Sequence, residues 1–437
     1  MKKLVFFSVA LMTTTLLCLS CQKEDVVAQM DVATTKSENV QKGKTAHVSY
    51  KDAIQIATEA VAMLEGGATT RSAVKRRVDP SKIKYHVTPT TRSGEGGDTL
   101  YYVVNYADNA GFALVSTSRA EGDPLIAVTE QGNFTPGEET GNPGFDMYIS
   151  LLNDRPSPRP EGPTSPIDTT NHGPNIIMVF DYPDTISSSV SQKGPYLSVR
   201  WTQDSPYNRY CYNDNNELCP AGCVAIAVAQ IMSYHQKPSS FTRTYDGSNA
   251  TQTLNWTGIK SYPTIYSATE TDKDALAHLI REIGHLALMD YTPGSSGTYD
   301  LFANITMANL GYTQGTIRNY NFSTLQNELD NDRPVYMSGA VADAESGHAW
   351  VADGYRIQNY SIWYYNIWSD DTWEYTGSRA FSYKYLHINW GWNGNCNGYF
   401  QDGVFNTSQA YELDGTASVS RNYTTALKMI TGVMPQN

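Results

Sequence analysis

The chain has 437 residues, 40% of them hydrophobic and 17% charged, enough for two ordinary domains or for one large domain with a processed segment. Lys and Arg number 32 against 44 Asp and Glu, a formal net charge of −12; no basic surplus exists to neutralise phosphates, which excludes nucleic acid as the main partner. With 30 Tyr, 33 Gly and 20 Pro, the composition suits an exported, loop-rich protein rather than a helical bundle, and the apolar share is too high for general disorder.

Lys2 and Lys3 precede a charge-free apolar run from Leu4 to Leu19. The run is shorter than the roughly 20 residues of a membrane span, so residues 1–20 read as a secretory signal peptide. Leu19-Ser20-Cys21, followed by Gln22-Lys23-Glu24-Asp25, resembles a bacterial lipobox, with Cys21 as the lipid anchor and Cys18 as the one departure from the pattern. A plain cleaved signal is the alternative. Any contact with a membrane is expected only through that anchor. Residues 21–46 are polar and read as a tether.

Four cysteines lie beyond Cys21: Cys211, Cys219, Cys223 and Cys396. Their spacing does not suit a structural zinc site, which wants two close pairs, and no metal is expected. Exported chains tend to pair their cysteines. A bridge between Cys211 and Cys219, closing a short loop, is the expected pairing, with Cys396 as the alternative partner.

Residues 49–64 have helical spacing, with Ala53, Ile54, Ala57, Ala60, Val61 and Leu64 on one stripe. Strands are expected at 101–106, 111–116 and 124–128, so that 47–154 forms a small α+β domain. Residues 155–176 hold Arg155-Pro156-Ser157-Pro158-Arg159-Pro160 and further prolines, a density that prevents helix and sheet. They read as a linker and an accessible processing region. From 177 to 437 lies a larger domain. Helices are expected at 223–236, 273–289 and 298–310, and strands at 334–341, 348–355, 360–368 and 384–390, an α+β layout.

Four separated segments carry chemistry. Gly222 precedes the apolar helical run Cys223-Val224-Ala225-Ile226-Ala227-Val228, which places Cys223 at a helix N-terminus, where free amides and the positive helix end stabilise a thiolate. An inert structural cysteine is the alternative. Ser346-Gly347-His348-Ala349-Trp350-Val351 places a histidine at a strand start, far in sequence from the cysteine, as in catalytic pairs built by the fold. Asn389, in His387-Ile388-Asn389-Trp390-Gly391-Trp392, has a side chain able to orient an imidazole, with Trp390 beside it to exclude water. Gln203, in Trp201-Thr202-Gln203-Asp204, carries an amide able to complete an oxyanion hole with the Cys223 N–H.

In chain order these read Gln, Cys, His, Asn, and here the sequence resembles the streptopain family of papain-like bacterial cysteine peptidases. The matching blocks are Trp201 to Asn208, Gly222-Cys223-Val224-Ala225 with Ala229 to His235, Gly347 to Gly354, and Asn389 to Trp392. The resemblance covers essentially all of 177–437, and more weakly 47–152, which is similar to the family's inhibitory prosegment.

The resemblance implies an α+β, papain-like fold, a helical part against an antiparallel sheet part, behind a small α+β prodomain. It implies Cys223 as nucleophile, His348 as general base and acid, Asn389 orienting His348, Gln203 donating to the oxyanion, and Trp390 shielding the Asn–His contact. Ser295, Ser296 and Gly347 are implied to line the substrate cleft, and a hydrophobic side chain two positions before the scissile bond is implied to be favoured. Expected partners are protein or peptide substrates, the chain's own prodomain in cis and an activating protease; no cofactor is expected. His235, at the far end of the Cys223 helix, is expected to pack structurally. Two other readings stay open: a Cys–His acyl transferase or amidase, and a catalytically silent surface-binding lipoprotein.

Overall fold

The computed structural model describes residues 47–65, 76–87, 99–118, 123–153, 175–180, 189–340, 347–367, 373–405 and 427–436. The leader, Cys21, the tether and the proline-rich segment therefore lie outside the described residues.

The N-terminal lobe holds α1 (Tyr50–Glu65), β1 (Val78–Val87), β2 (Thr99–Tyr106), β3 (Phe112–Ser116), β4 (Leu125–Thr129) and α2 (Pro143–Asn153). A reciprocal cap starts α1: Asp52 N–H donates to Ser49 Oγ (3.2 Å), and Ser49 N–H donates to Asp52 Oδ2 (3.1 Å). The small buried residues Ala53, Ala57 and Ala60 let α1 lie close on Val104, Tyr106 and Val115, and the buried Tyr106 hydroxyl donates to Ala57 O. α2 was not among the expected elements, although Asn142-Pro143 is a recognisable helix start: Asn142 Oδ1 accepts from Phe145 N–H at 3.2 Å.

The C-terminal lobe begins with β5 (Asn175–Phe180) and β6 (Val190–Lys193), then α3 (Cys223–His235), the hairpin β7 (Ser240–Thr242) and β8 (Thr251–Thr253), α4 (Trp256–Ile259), α5 (Glu270–Leu286), the small hairpin β9 (Asp290–Tyr291) and β10 (Ser296–Gly297), and α6 (Asp300–Asn309). It continues with β11 (Thr316–Asn319), α7 (Phe322–Asp330), β12 (Val335–Gly339), β13 (His348–Ile367), β14 (Trp373–Asn389), β15 (Gly398–Gln401), α8 (Asp402–Phe405) and β16 (Lys428–Thr431). Helices packed against a large antiparallel sheet make the α+β class. The strands expected at 348–355 and 360–368 are one continuous strand, β13, which pairs β14 along its length and takes β12, β6 and β5 in succession on its other edge.

The two lobes share one twelve-stranded sheet, ordered β1-β2-β3-β4-β15-β14-β13-β12-β16-β11, with β5 and β6 on β13. The junction is β4 against β15, with Val128 opposite Tyr399 and Ala127 opposite Phe400. One core lies between α3, α5, α6 and the sheet. A second runs through both lobes, bringing Phe112, Phe134, Phe145 and Tyr148 together with Trp350, Trp390 and Phe400. Ring pairs such as Tyr148–Phe400 (4.8 Å) and Phe145–Phe400 (6.2 Å) cross that junction.

The expected Cys211–Cys219 bridge is absent. Cys211, Cys219, Cys223 and Cys396 are all free thiols. Cys219 N–H does donate to Cys211 O (2.8 Å) in a hairpin where Tyr212 faces Leu218, but the Cys219 thiol donates to Glu217 O (3.3 Å) rather than meeting Cys211. Cys396 is buried in the second core, apart from both.

Candidate active site

Cys223 opens α3, whose apolar residues Val224 to Met232 are buried on all faces. Gly222 makes the turn into it with φ +88°, a left-handed value that favours glycine. A β-carbon there would also come within 2.8 Å of Met289 Cε and Sδ and 3.2 Å of Ser296 O. Cys223 is therefore seated beside the β9–β10 hairpin, with the backbone amides of Ala349, Val224 and Cys223 itself near enough to its thiol to favour the thiolate. Burial pushes the thiol pKa up, those amides pull it down, and the Asp300 carboxylate adds to the rise. The net direction is upward, so the thiol holds its proton in this conformation.

The Ala349 contact brings the nucleophile candidate to the strand that starts with His348, but the two side chains share no hydrogen bond among the described residues. His348 Nε2 lies 2.9 Å from Trp390 O instead, with the ring stacked near Trp350 and edge-on to Trp392. Burial lowers the His348 pKa to about 4, against a smaller rise from the Trp390 carbonyl, so the imidazole is neutral at neutral pH.

Asn389 is also buried and turned elsewhere: its Nδ2 donates to Val199 O (2.8 Å), and its Oδ1 accepts from Gly391 N–H (3.1 Å). Trp390 is held by Nε1–H to Cys396 O (3.0 Å) and by its own N–H to Asn397 Oδ1 (3.0 Å). Its indole lies against Trp350 (5.2 Å between rings). Gln203 is tied close to the nucleophile because its carbonyl accepts from Ala221 N–H (2.8 Å). Its side-chain amide makes no hydrogen bond among the described residues.

Ser295 is exposed in the turn of the β9–β10 hairpin, where its N–H donates to Thr292 Oγ1 (3.2 Å). Ser296 is buried, and its hydroxyl lacks a partner among the described residues. Gly347 is exposed, and a β-carbon there would approach Gly339 O at 2.8 Å. His235 packs between Tyr234 and Tyr312, its pKa lowered to about 4 by burial.

A contact that sequence reasoning missed comes from the other lobe. α2 lies directly over the histidine. A β-carbon on Gly144 would stand 2.5 Å from His348 Cδ2 and 2.4 Å from Trp390 Cε3. The only sequence signal was the Asn-Pro-Gly helix start, which says nothing of what the helix covers.

Residues 201–400 match the model of the Peptidase C10 family, and residues 45–155 match that of the Spi protease inhibitor. The chain carries a C10-family cysteine peptidase domain. A Spi-type inhibitor domain precedes it, and α2 belongs to that inhibitor domain.

The chain is 26% identical over 382 residues to streptopain of Streptococcus pyogenes, covering 78% of this chain and 82% of streptopain. It is 23% identical over 413 residues to the thiol protease/hemagglutinin PrtT of Porphyromonas gingivalis, covering 85% of this chain. It spans only 42% of the length of PrtT. Among solved structures, a fragment of Prevotella intermedia prointerpain A aligns with a TM-score of 0.48 at 20% identity, covering 81% of this chain and all of the fragment.

Proposed function

We propose that the chain is an exported endopeptidase made as a latent precursor, in which the inhibitor domain holds the peptidase domain inactive until the linker is cut. The observation that carries this reading is the packing of α2 on His348, with the imidazole bonded to Trp390 O and the Cys223 thiol protonated beside it. A Cys–His pair in that state has neither a thiolate nor a base aimed at it.

Lifting α2 frees His348 to turn from Trp390 O toward the thiol and take its proton. The Cys223 sulfur then attacks a peptide carbonyl carbon, forming the C–S bond. Negative charge moves to the carbonyl oxygen, where the Cys223 N–H and the free Gln203 amide donate, each such donor contributing about 3 kcal/mol. The imidazolium gives its proton to the leaving nitrogen as the C–N bond breaks. His348 next takes a proton from water, which adds to the thioester. Collapse expels the Cys223 thiolate and releases the acid. Asn389 serves the turned His348 as orienting partner, and Trp390 keeps water from that contact.

The route of export rests on the sequence: Cys21 is proposed as the lipidated residue of a cell-envelope anchor, from which an activating protease or the enzyme itself frees the catalytic part by cutting between about 155 and 195. A Cys21→Ser chain that still partitions wholly with membranes contradicts the anchor. The catalytic assignment is tested by Cys223→Ala, which should abolish peptide hydrolysis by the cleaved protein; turnover above trace level in that variant would overturn it.

A further inference from the structure

Behind the site, a buried cluster of charges joins the two domains. Glu130 directly follows β4 in the inhibitor domain and is 9% exposed. Its N–H donates to Asn397 O (2.7 Å), extending the β4–β15 ladder. Its carboxylate faces two groups of the peptidase domain: Arg200 Nη2 lies 3.0 Å from Oε2, and His387 Nε2 lies 3.5 Å from Oε1. His387 Nδ1 is in turn 2.6 Å from Asp353 Oδ1, whose other oxygen accepts from Leu197 N–H at 2.8 Å.

The remaining groups around the cluster are the Tyr399 ring, 5.0 Å from the His387 ring with Arg356 nearby, Gln131, which Arg200 Nη1 reaches at 3.4 Å, and Arg76, whose Nη2 donates to the Glu130 backbone carbonyl. Glu130 thus supplies the carboxylate that the inhibitor domain sets against Arg200 and His387. Those two cations sit on the peptidase side, where Asp353 pairs with His387 alone, so removing Glu130 takes away the carboxylate that faces both Arg200 and the buried His387.

We propose that Glu130 is a charge latch: its carboxylate, inserted between Arg200 and His387, holds the inhibitor domain closed on the peptidase domain and couples that closure to the protonation of His387. This rests on the reading that the inhibitor domain covers the active site, and it names what fastens it there.

Burial alone would lower the His387 pKa, but Asp353 and then Glu130 outweigh it and raise it to about 9. Opening removes the Glu130 share, so the open form binds the proton less tightly. A raised closed-state pKa means that the stabilisation is present at neutral pH and is lost as pH rises through about 9. The latch therefore loosens on alkalinisation.

The test uses the full-length chain with Cys223→Ala, which cannot process itself, and reads hydrogen exchange at the β4 and β15 amides relative to α5. At pH 8, Glu130→Gln and Arg200→Gln should each speed exchange at the β4–β15 junction by at least about tenfold, because each removes one side of the ion pair that joins the two domains. The double variant should be no faster than the faster single one, since both remove the same interaction. In the parent, junction exchange relative to α5 should rise by about tenfold or more between pH 8 and pH 10, and Glu130→Gln should lose that rise.

Parent-like protection in Glu130→Gln with the pH rise intact would overturn the latch. If Glu130→Gln unfolds the chain, α5 loses protection as well; the parent profile then decides alone, and a flat one overturns the proposal. A junction that loosens as expected, in a chain whose intact Cys223 form already hydrolyses peptides uncleaved at the cleaved rate, would keep the latch and remove the latency reading instead.

Discussion

Gly144 of the inhibitor domain lies against the imidazole of His348, so closely that a single added methyl would stand 2.5 Å from His348 Cδ2. Both contacted rings, His348 and Trp390, are buried and fixed by hydrogen bonds, so neither can simply swing aside. The glycine is what allows α2 to press on the histidine.

Gly144→Ala should therefore push α2 off the site. Overpacking of this kind costs about 1–3 kcal/mol, and here the cost falls on the closed precursor alone. Expected is a rise of roughly tenfold in the peptide hydrolysis of the uncleaved chain, with no change once the linker is cut. Equal precursor rates for Gly144→Ala and the parent would mean that α2 does not set latency.

Much of this arrangement is legible in the sequence, and what is not has identifiable causes. The Cys223 helix is plain because an unbroken apolar run follows a glycine, and α3 is buried on all sides. The full length of β13 is hidden because Arg356, Gln358 and Asn359 interrupt its apolar pattern, while the pairing with β14 that sustains the strand is a long-range property. Pairings between distant side chains are equally silent. His387 and Asp353 meet because β13 and β14 lie side by side, and Glu130 joins them only through the β4–β15 junction. The type of residue at Cys223, His348, Asn389 and Gln203 speaks of chemistry, whereas the conformation each adopts under α2 depends on the fold.

Asn389 offers a second test. Its side chain joins Val199 O to Gly391 N–H, so Asn389→Ala leaves two buried backbone groups unpaired, at about 1–3 kcal/mol of stability. Activity of the cleaved enzyme should fall by tenfold or more through kcat but less than in Cys223→Ala, since thiol and base remain. Parent-like kcat in a destabilised Asn389→Ala would confine Asn389 to a structural role.

The pH response of closure has an acid side as well. His348 has its pKa lowered to about 4 in the closed form by burial, against about 6.5 for a free imidazole. A histidine with a depressed pKa takes up its proton preferentially in the open form. Closure is thus unpenalised above about 6.5, weakens as pH falls, and has lost roughly 3 kcal/mol by about pH 4. Hydrogen exchange at α2 in a full-length Cys223→Ala chain should accelerate over that window, and His348→Gln should flatten the change; an α2 equally protected from pH 7 to pH 4 would contradict the assignment.

The free thiols make a fourth check. Cys211, Cys219 and Cys396 are buried, and Cys223 is partly accessible. Burial pushes Cys211 up to about 11 and raises Cys219 and Cys396 too, so all three are poor nucleophiles. Alkylation of the native cleaved protein should modify Cys223 alone, and denaturant without reductant should expose the other three. Finding Cys211 and Cys219 joined in unreduced peptides would restore the bridge that the structure lacks.

The most direct measurement compares peptide hydrolysis by one full-length chain before and after a cut in 155–174, with the native linker replaced by a sequence that only an added protease cleaves. If α2 holds His348 away from Cys223, the uncut chain is nearly inactive, and cutting releases activity that Cys223→Ala abolishes. An uncut chain that hydrolyses peptides as fast as the cut one would contradict the mechanism at its centre.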